Sequence, residues 1–243
     1  MTLADTLRSL EGLELTDEDG GKETIALLPP VSAAELDALE RRLPAPLPAE
    51  IRDALLLTKG LANGPLESFS LLDLEGFGME EAFPHAYSIA HDGFGNYWVI
   101  DLLPNSGSWG PIYYACHDPA VIVYQAAGVE QFLRDAIAMW QPGPRSPVDI
   151  VHEDATARIW EKNPLARPRD EVLTANDPAL RSFAESLPAR ALIADLRAAT
   201  VGDGFSWGAF GPRTTIVRWD IEPVWAMTPP EKKPGLLRRL FGR

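Results

Sequence analysis

Ile89-Ala90-His91-Asp92-Gly93-Phe94-Gly95-Asn96-Tyr97-Trp98-Val99-Ile100-Asp101 places apolar and aromatic residues on both sides of a short glycine-rich centre. The pattern reads as two strands joined by a tight connection. Gly93 and Gly95 permit positive φ or close backbone approach there. Asn96 can bond nearby backbone at the entrance of the second strand. A phosphate loop fits poorly, because no third glycine leads into a helix and no Walker lysine follows. Asp101 reads as a turn acceptor at the strand end, in preference to a catalytic carboxylate.

Outward from this turn the same pattern continues. Phe69–Leu72, Pro111–Ala115 and Ala120–Tyr124 read as further strands, with His117-Asp118-Pro119 separating the last two. Residues 105–110 form a turn-rich loop. Val129, Phe132, Leu133, Ala136, Ile137 and Trp140 recur at helical steps and predict a helix able to cover a sheet face. Upstream, Leu3, Leu7 and Leu10 mark a short helix. Ser32 and Glu35 form a capping box before Leu36, Leu39 and Leu43. Pro48 opens a helix running to Thr58, with Gly60 as its C′ residue and Asn63-Gly64 as a turn. Downstream, a proline-rich run at 141–147 marks a boundary. Asp177-Pro178 caps a helix over 179–187. Leu192, Ile193, Leu196 and Ala199 suggest another helix, and residues 214–219 and 223–226 suggest strands.

The expected class is therefore α+β: a twisted, mainly antiparallel sheet covered by helices, with a smaller C-terminal α+β segment. The expected organisation is an N-terminal helical extension (1–30), an α+β domain (31–145), a small appendage (150–230) and a basic tail (231–243).

Charge gives the functional lead. The chain has 243 residues and a net charge of -13. Residues 1–150 hold 23 acids and 8 bases, whereas 151–243 hold 12 acids and 14 bases. Residues 60–133 contain nine acids and no lysine or arginine. Such a surface repels nucleic acid and phosphate and attracts a basic protein. The tail carries five bases and a short apolar face; it could contact an anionic surface or fold back onto the acidic region.

Chemistry is sparse. His85, His91, His117 and His152 match no compact zinc spacing, and Cys116 is the lone cysteine. No nucleophile elbow surrounds any serine. No metal, cofactor or catalytic residue is assigned. A lone cysteine, no signal peptide and no long apolar run make the cytoplasm the expected location.

The arrangement Leu47-Pro48-Ala49-Glu50-Ile51, then Leu55-Leu56-Leu57-Thr58-Lys59-Gly60, then the Ile89–Asp101 stretch, resembles the SUKH superfamily of cell-wall-synthesis regulators and bacterial immunity proteins. The resemblance covers roughly 30–140. Its Asn-Gly sits at Asn63-Gly64, a few residues beyond the family's usual place. The resemblance implies a non-enzymatic protein-binding module, an immunity protein that occludes a basic toxin domain. One alternative is a regulatory scaffold related to cell-wall synthesis control. Another is an enzyme with a pocket around His91, Asp92 and Asp101. Charge and loop position select Glu67, Asp73, Glu75, Glu80, Glu81, Asp92 and Asp118 as partner contacts, with Trp109 and Tyr114 as aromatic anchors.

Overall fold

The computed structural model describes residues 2–17, 19–72, 76–103 and 108–231. Asp73, Glu75, positions 105–107 of the expected loop and tail residues 232–243 lie outside them.

The chain begins with α1 (Leu3–Leu10), β1 (Glu14–Thr16), β2 (Lys22–Thr24) and β3 (Ala26–Leu27). Next come α2 (Ala33–Glu40) and α3 (Ala49–Leu57). A meander follows: β4 (Gly60–Ala62), β5 (Ser68–Ser70), β6 (Ala86–His91), β7 (Tyr97–Leu103), β8 (Ser108–His117) and β9 (Ala120–Ala126). Then α4 (Val129–Ile137) leads through a 3-10 turn to α5 (Pro147–Asp149). A π-helical stretch, Ile150–Ala155, joins α5 to α6 (Thr156–Lys162). The remainder is β10 (Ala166–Pro168), α7 (Arg169–Val172), α8 (Pro178–Glu185), β11 (Leu192–Asp195), β12 (Gly204–Ser206), β13 (Thr215–Arg218) and β14 (Val224–Thr228).

Local chemistry explains several boundaries. Ser32 and Glu35 close a reciprocal capping box on α2, satisfying two end N–H groups. Asp177 accepts from the N–H groups of Ala179 and Leu180 at the start of α8, with Pro178 in its first turn. Gly60 does not serve as the expected C′ residue. It lies in β4, where a Cβ would come within 2.2 Å of the Phe69 carbonyl oxygen. Thr58 ends α3 instead; its single hydroxyl proton lies between the carbonyls of Leu28 and Gly60, 2.8 and 2.6 Å from its oxygen.

Eight strands form one antiparallel sheet in the order β12-β9-β8-β7-β6-β5-β4-β3, and four form a second in the order β10-β11-β14-β13. The period-two alternation of strands separates two cores. On one face of the large sheet Trp98, Ile100, Tyr114, Val121 and Val123 pack with residues from α1 to α6. On the other face Val99, Tyr113, Ala115 and Ile122 pack with Ala194, Trp225 and Met227 of the second sheet. The outer side of the second sheet is closed by Val172 of α7 with Leu180 and Ala184 of α8. The layers therefore run helices, large sheet, small sheet, helices.

Two local expectations change. Residues 192–195 form a strand, not a helix: Leu192 to Asp195 pair with β14 on one side, and Leu192 to Ala194 pair with β10 on the other. Residues 108–110 belong to β8, where Ser108 and Trp109 pair with Leu103 and Leu102 of β7. The C-terminal region is bound closely to what precedes it. β12 extends the large sheet by pairing with β9, and the second sheet packs on one face of the first.

Candidate functional site

The glycine turn between β6 and β7 is held by Asp92. Its Oδ1 accepts from the N–H of Phe94 at 2.8 Å and of Asn96 at 3.2 Å. Its Oδ2 accepts from Asn96 Nδ2 at 2.7 Å and the Tyr114 hydroxyl at 3.3 Å. Gly93 and Gly95 take φ of 78° and 87°, as the sequence pattern requires. Asn96 extends the network by accepting from the His117 N–H at 3.1 Å.

Burial alone raises the pKa of the Asp92 carboxyl. The hydrogen bonds from Asn96 and Phe94, with nearby His152, outweigh it and hold the group below its ordinary value. A depressed folded-state pKa stabilises the fold above the ordinary value of 3.8, and the contribution is lost as pH falls through the lower folded value. Asp92→Ala should therefore cost about 1–3 kcal/mol at neutral pH. It should also flatten the acid limb of a stability–pH curve measured by urea unfolding. A variant as acid-sensitive as the parent would contradict this.

Three histidines surround the turn. His91 Nδ1 accepts from the Gly93 N–H at 3.2 Å, His117 Nδ1 lies 2.9 Å from Asn96 Oδ1, and His152 Nε2 lies 3.5 Å from Asp92 Oδ2. They brace the loop. Among the described residues no group of three or more His, Cys, Asp or Glu could hold a metal ion. Cys116 is 3% exposed, and burial pushes its thiol pKa up, the opposite of an activated nucleophile.

Beside the turn lies a cleft of about 420 Å³, bordered by Asp17, Glu23, Glu67, Asp92, Trp140 and His152. A neighbouring hollow of about 350 Å³ shares Glu23 and Glu67 and runs over Leu61, Phe69, Leu133 and Ile137. Together they form a groove with an apolar floor and four acids, and among the described residues no lysine or arginine lines either part. Phe94, 82% exposed, stands among the residues bordering it. Asp17 and Glu23 carry no sequence motif. Only the β1–β2 hairpin places them here, so sequence reasoning missed them.

The remaining expected contacts separate. Glu67 and Asp92 meet in the groove. Glu80 lines a different cleft with Arg42 and His85, and its Oε1 accepts from the N–H groups of Phe77 and Gly78 at 2.9 and 3.1 Å. Glu81 borders a small hollow with Trp207 and Ile216, on the side of the second sheet. Asp118 is exposed at the β8–β9 turn. Tyr114 is 1% exposed, too buried for the anchor role assigned to it. Its place on the inward face of β8 seats the ring beneath the turn. Trp109 is partly buried; its indole donates to the Pro46 carbonyl at 3.0 Å and its ring packs edge-on against Tyr87.

Asp101 also differs from expectation. It lies inside β7, is 0% exposed, and forms an ion pair with Arg218 of β13. It is no strand-end turn acceptor, because β7 continues through Leu103 and the carboxylate faces the second sheet. This also separates it from His91 and Asp92, so the alternative His91–Asp92–Asp101 pocket does not assemble.

No helix among the described residues is long and apolar enough to cross a membrane. No curated protein and no solved structure matches the chain. Residues 30–135, from just before α2 into α4, match the SMI1 / KNR4 family (SUKH-1).

Proposed function

We propose that the chain is a non-enzymatic protein-binding module, acting as an immunity protein that occludes a basic toxin domain. The observation that carries this reading is the acidic groove of Asp17, Glu23, Glu67 and Asp92, lined by no lysine or arginine among the described residues, beside exposed Phe94. The SUKH-1 segment and the lack of a metal-holding cluster among the described residues support it. In this reading the acids steer a cationic partner into encounter, and Phe94 with Trp140 sets its residence time.

The mechanism is steric and electrostatic. A basic toxin surface seated over the groove loses access to its own substrate. Glu23 and Glu67 occur in no ion pair among the described residues, so they present charge without first breaking an internal contact.

Reversing both, Glu23→Lys with Glu67→Lys, should slow association with a basic partner by about tenfold at low salt and much less at high salt. Stopped-flow association with partners recovered by pull-down measures it. A rate unchanged at low salt would remove the groove from the reading. Capture of a constant cellular protein with no toxic activity would favour the scaffold alternative.

A further inference from the structure

We infer that the acidic groove is also the docking site of the chain's own residues 232–243, Lys232-Lys233-Pro234-Gly235-Leu236-Leu237-Arg238-Arg239-Leu240-Phe241-Gly242-Arg243. This inference rests on the groove used above and gives it a resident occupant, which an incoming partner must displace.

Complementarity carries the argument. The segment holds five bases and no acid. Leu236, Leu237, Leu240 and Phe241 recur at the three- and four-residue steps of one helix face. The groove offers the counterpart: an apolar floor of Leu61, Phe69, Leu133 and Ile137 flanked by acids, with no competing lysine or arginine among the described residues of its lining.

Several acids elsewhere are already paired. Arg197 engages Asp177 and Asp195, Arg145 engages Glu153 and Asp154, Lys22 engages Glu14, and Arg52 engages Glu40. Glu23 and Glu67 are not in such pairs among the described residues, so the groove retains uncompensated negative charge.

The described chain stops at Glu231, whose carboxylate meets Arg190 at 3.4 Å. Residues 232–235 span up to about 14 Å when extended, and residues 236–243 add about 12 Å as a helix. A globule of 243 residues has a radius of gyration of about 18 Å. Tethering supplies the segment at an effective concentration on the millimolar scale. A weak intrinsic affinity, about 100 μM, would then keep the groove mostly occupied and lower the apparent affinity of any competitor about tenfold.

The test titrates a fluorescein-labelled peptide of residues 232–243 against two proteins, the full chain and a chain ending at residue 231, by fluorescence anisotropy. The expected result is binding to the shortened chain and at least fivefold weaker binding to the full chain. The affinity should fall steeply with salt and be lost in the shortened chain carrying Glu23→Gln and Glu67→Gln, with circular dichroism confirming that this variant is folded. Equal affinity for the full and shortened chains would overturn the inference, as would undiminished binding to the Gln variant. A third arm uses vesicles of phosphatidylglycerol. If the peptide ignores the shortened chain while the full chain binds vesicles only when residues 232–243 are present, a lipid contact replaces this inference. No toxin enters the titration, so its failure leaves the proposed partner untouched, and absence of a toxin partner leaves the titration untouched.

Discussion

Arg218→Met should lower the unfolding free energy by about 3–5 kcal/mol at neutral pH, measured by urea denaturation. The reason is what it leaves behind. Asp101 and Arg218 are each among the most buried polar groups, with side-chain exposures of 0% and 1%. Arg218 Nη2 donates to Asp101 Oδ2, and the guanidinium lies 5.2 Å from the centre of the Trp225 ring. Asp101 Oδ1 and Arg218 Nε have no hydrogen-bond partner among the described residues. Removing the arginine therefore strands a carboxylate in an apolar layer.

The pH dependence follows from burial, the largest influence on Asp101, which raises its pKa against the opposing pull of Arg218. Without Arg218 the folded-state value rises further. A raised carboxyl pKa means that the folded state binds the proton more tightly than the unfolded chain. Stability then falls as pH climbs from the ordinary value of 3.8 through the folded value. The variant should accordingly recover part of its loss between neutral pH and about pH 4. Adding Asp101→Leu should restore most of it, since an apolar pair of similar volume often matches a buried ion pair. A single variant within about 1 kcal/mol of the parent, little more than an ordinary surface change, would show that the pair does not hold the sheets together.

Trp225→Ala carries the second large effect, about 3–5 kcal/mol. Trp225 is 0% exposed at the centre of the intersheet layer. Its ring centroid lies 5.3 Å from Tyr113, 5.4 Å from Phe205 and 5.6 Å from Phe83. Its indole donates to the Ala82 carbonyl at 2.6 Å. Truncation opens a cavity among four chain segments and leaves that carbonyl short of a donor. Because β12 lies in the large sheet and Trp225 in the small one, both regions should still unfold in a single transition at lower urea. Two separated transitions would show instead that 150–230 folds independently.

Much of the central region is legible in short windows of the chain. The runs around Asp92-Gly93-Phe94-Gly95-Asn96 form β6 and β7, and the recurrence from Val129 to Ile137 forms α4. Ser32 and Asp177 cap helices where their spacing suggests. These signals are local. A turn needs its glycines and an amphipathic helix repeats its own period, so neighbours in sequence carry the information.

The elements that escape such a reading share the opposite property. Leu192-Ile193-Ala194-Asp195 has no local preference strong enough to settle its state, and β10 and β14 decide it by offering backbone partners on both sides. Gly204–Ser206 is a strand because β9 lies alongside. The helical stretch across Pro147–Lys162 follows directly on the proline-rich run and shows no clear signal of its own, yet Val148, Val151, Ala155 and Ile159 all enter the core. Of the candidate contacts, Glu67 and Asp92 converge with Asp17 and Glu23, whereas Glu80 and Glu81 sit elsewhere.

The charge asymmetry, the glycine turn and the antiparallel meander are written in the residue order, because each depends on composition or on groups a few positions apart. Long-range packing alone brings Asp101 against a cation 117 positions away, buries Tyr114, and selects which acids share a groove. Those outcomes require strands and loops distant in the chain to meet. The energies involved arise from burial and desolvation, which no short window of sequence contains.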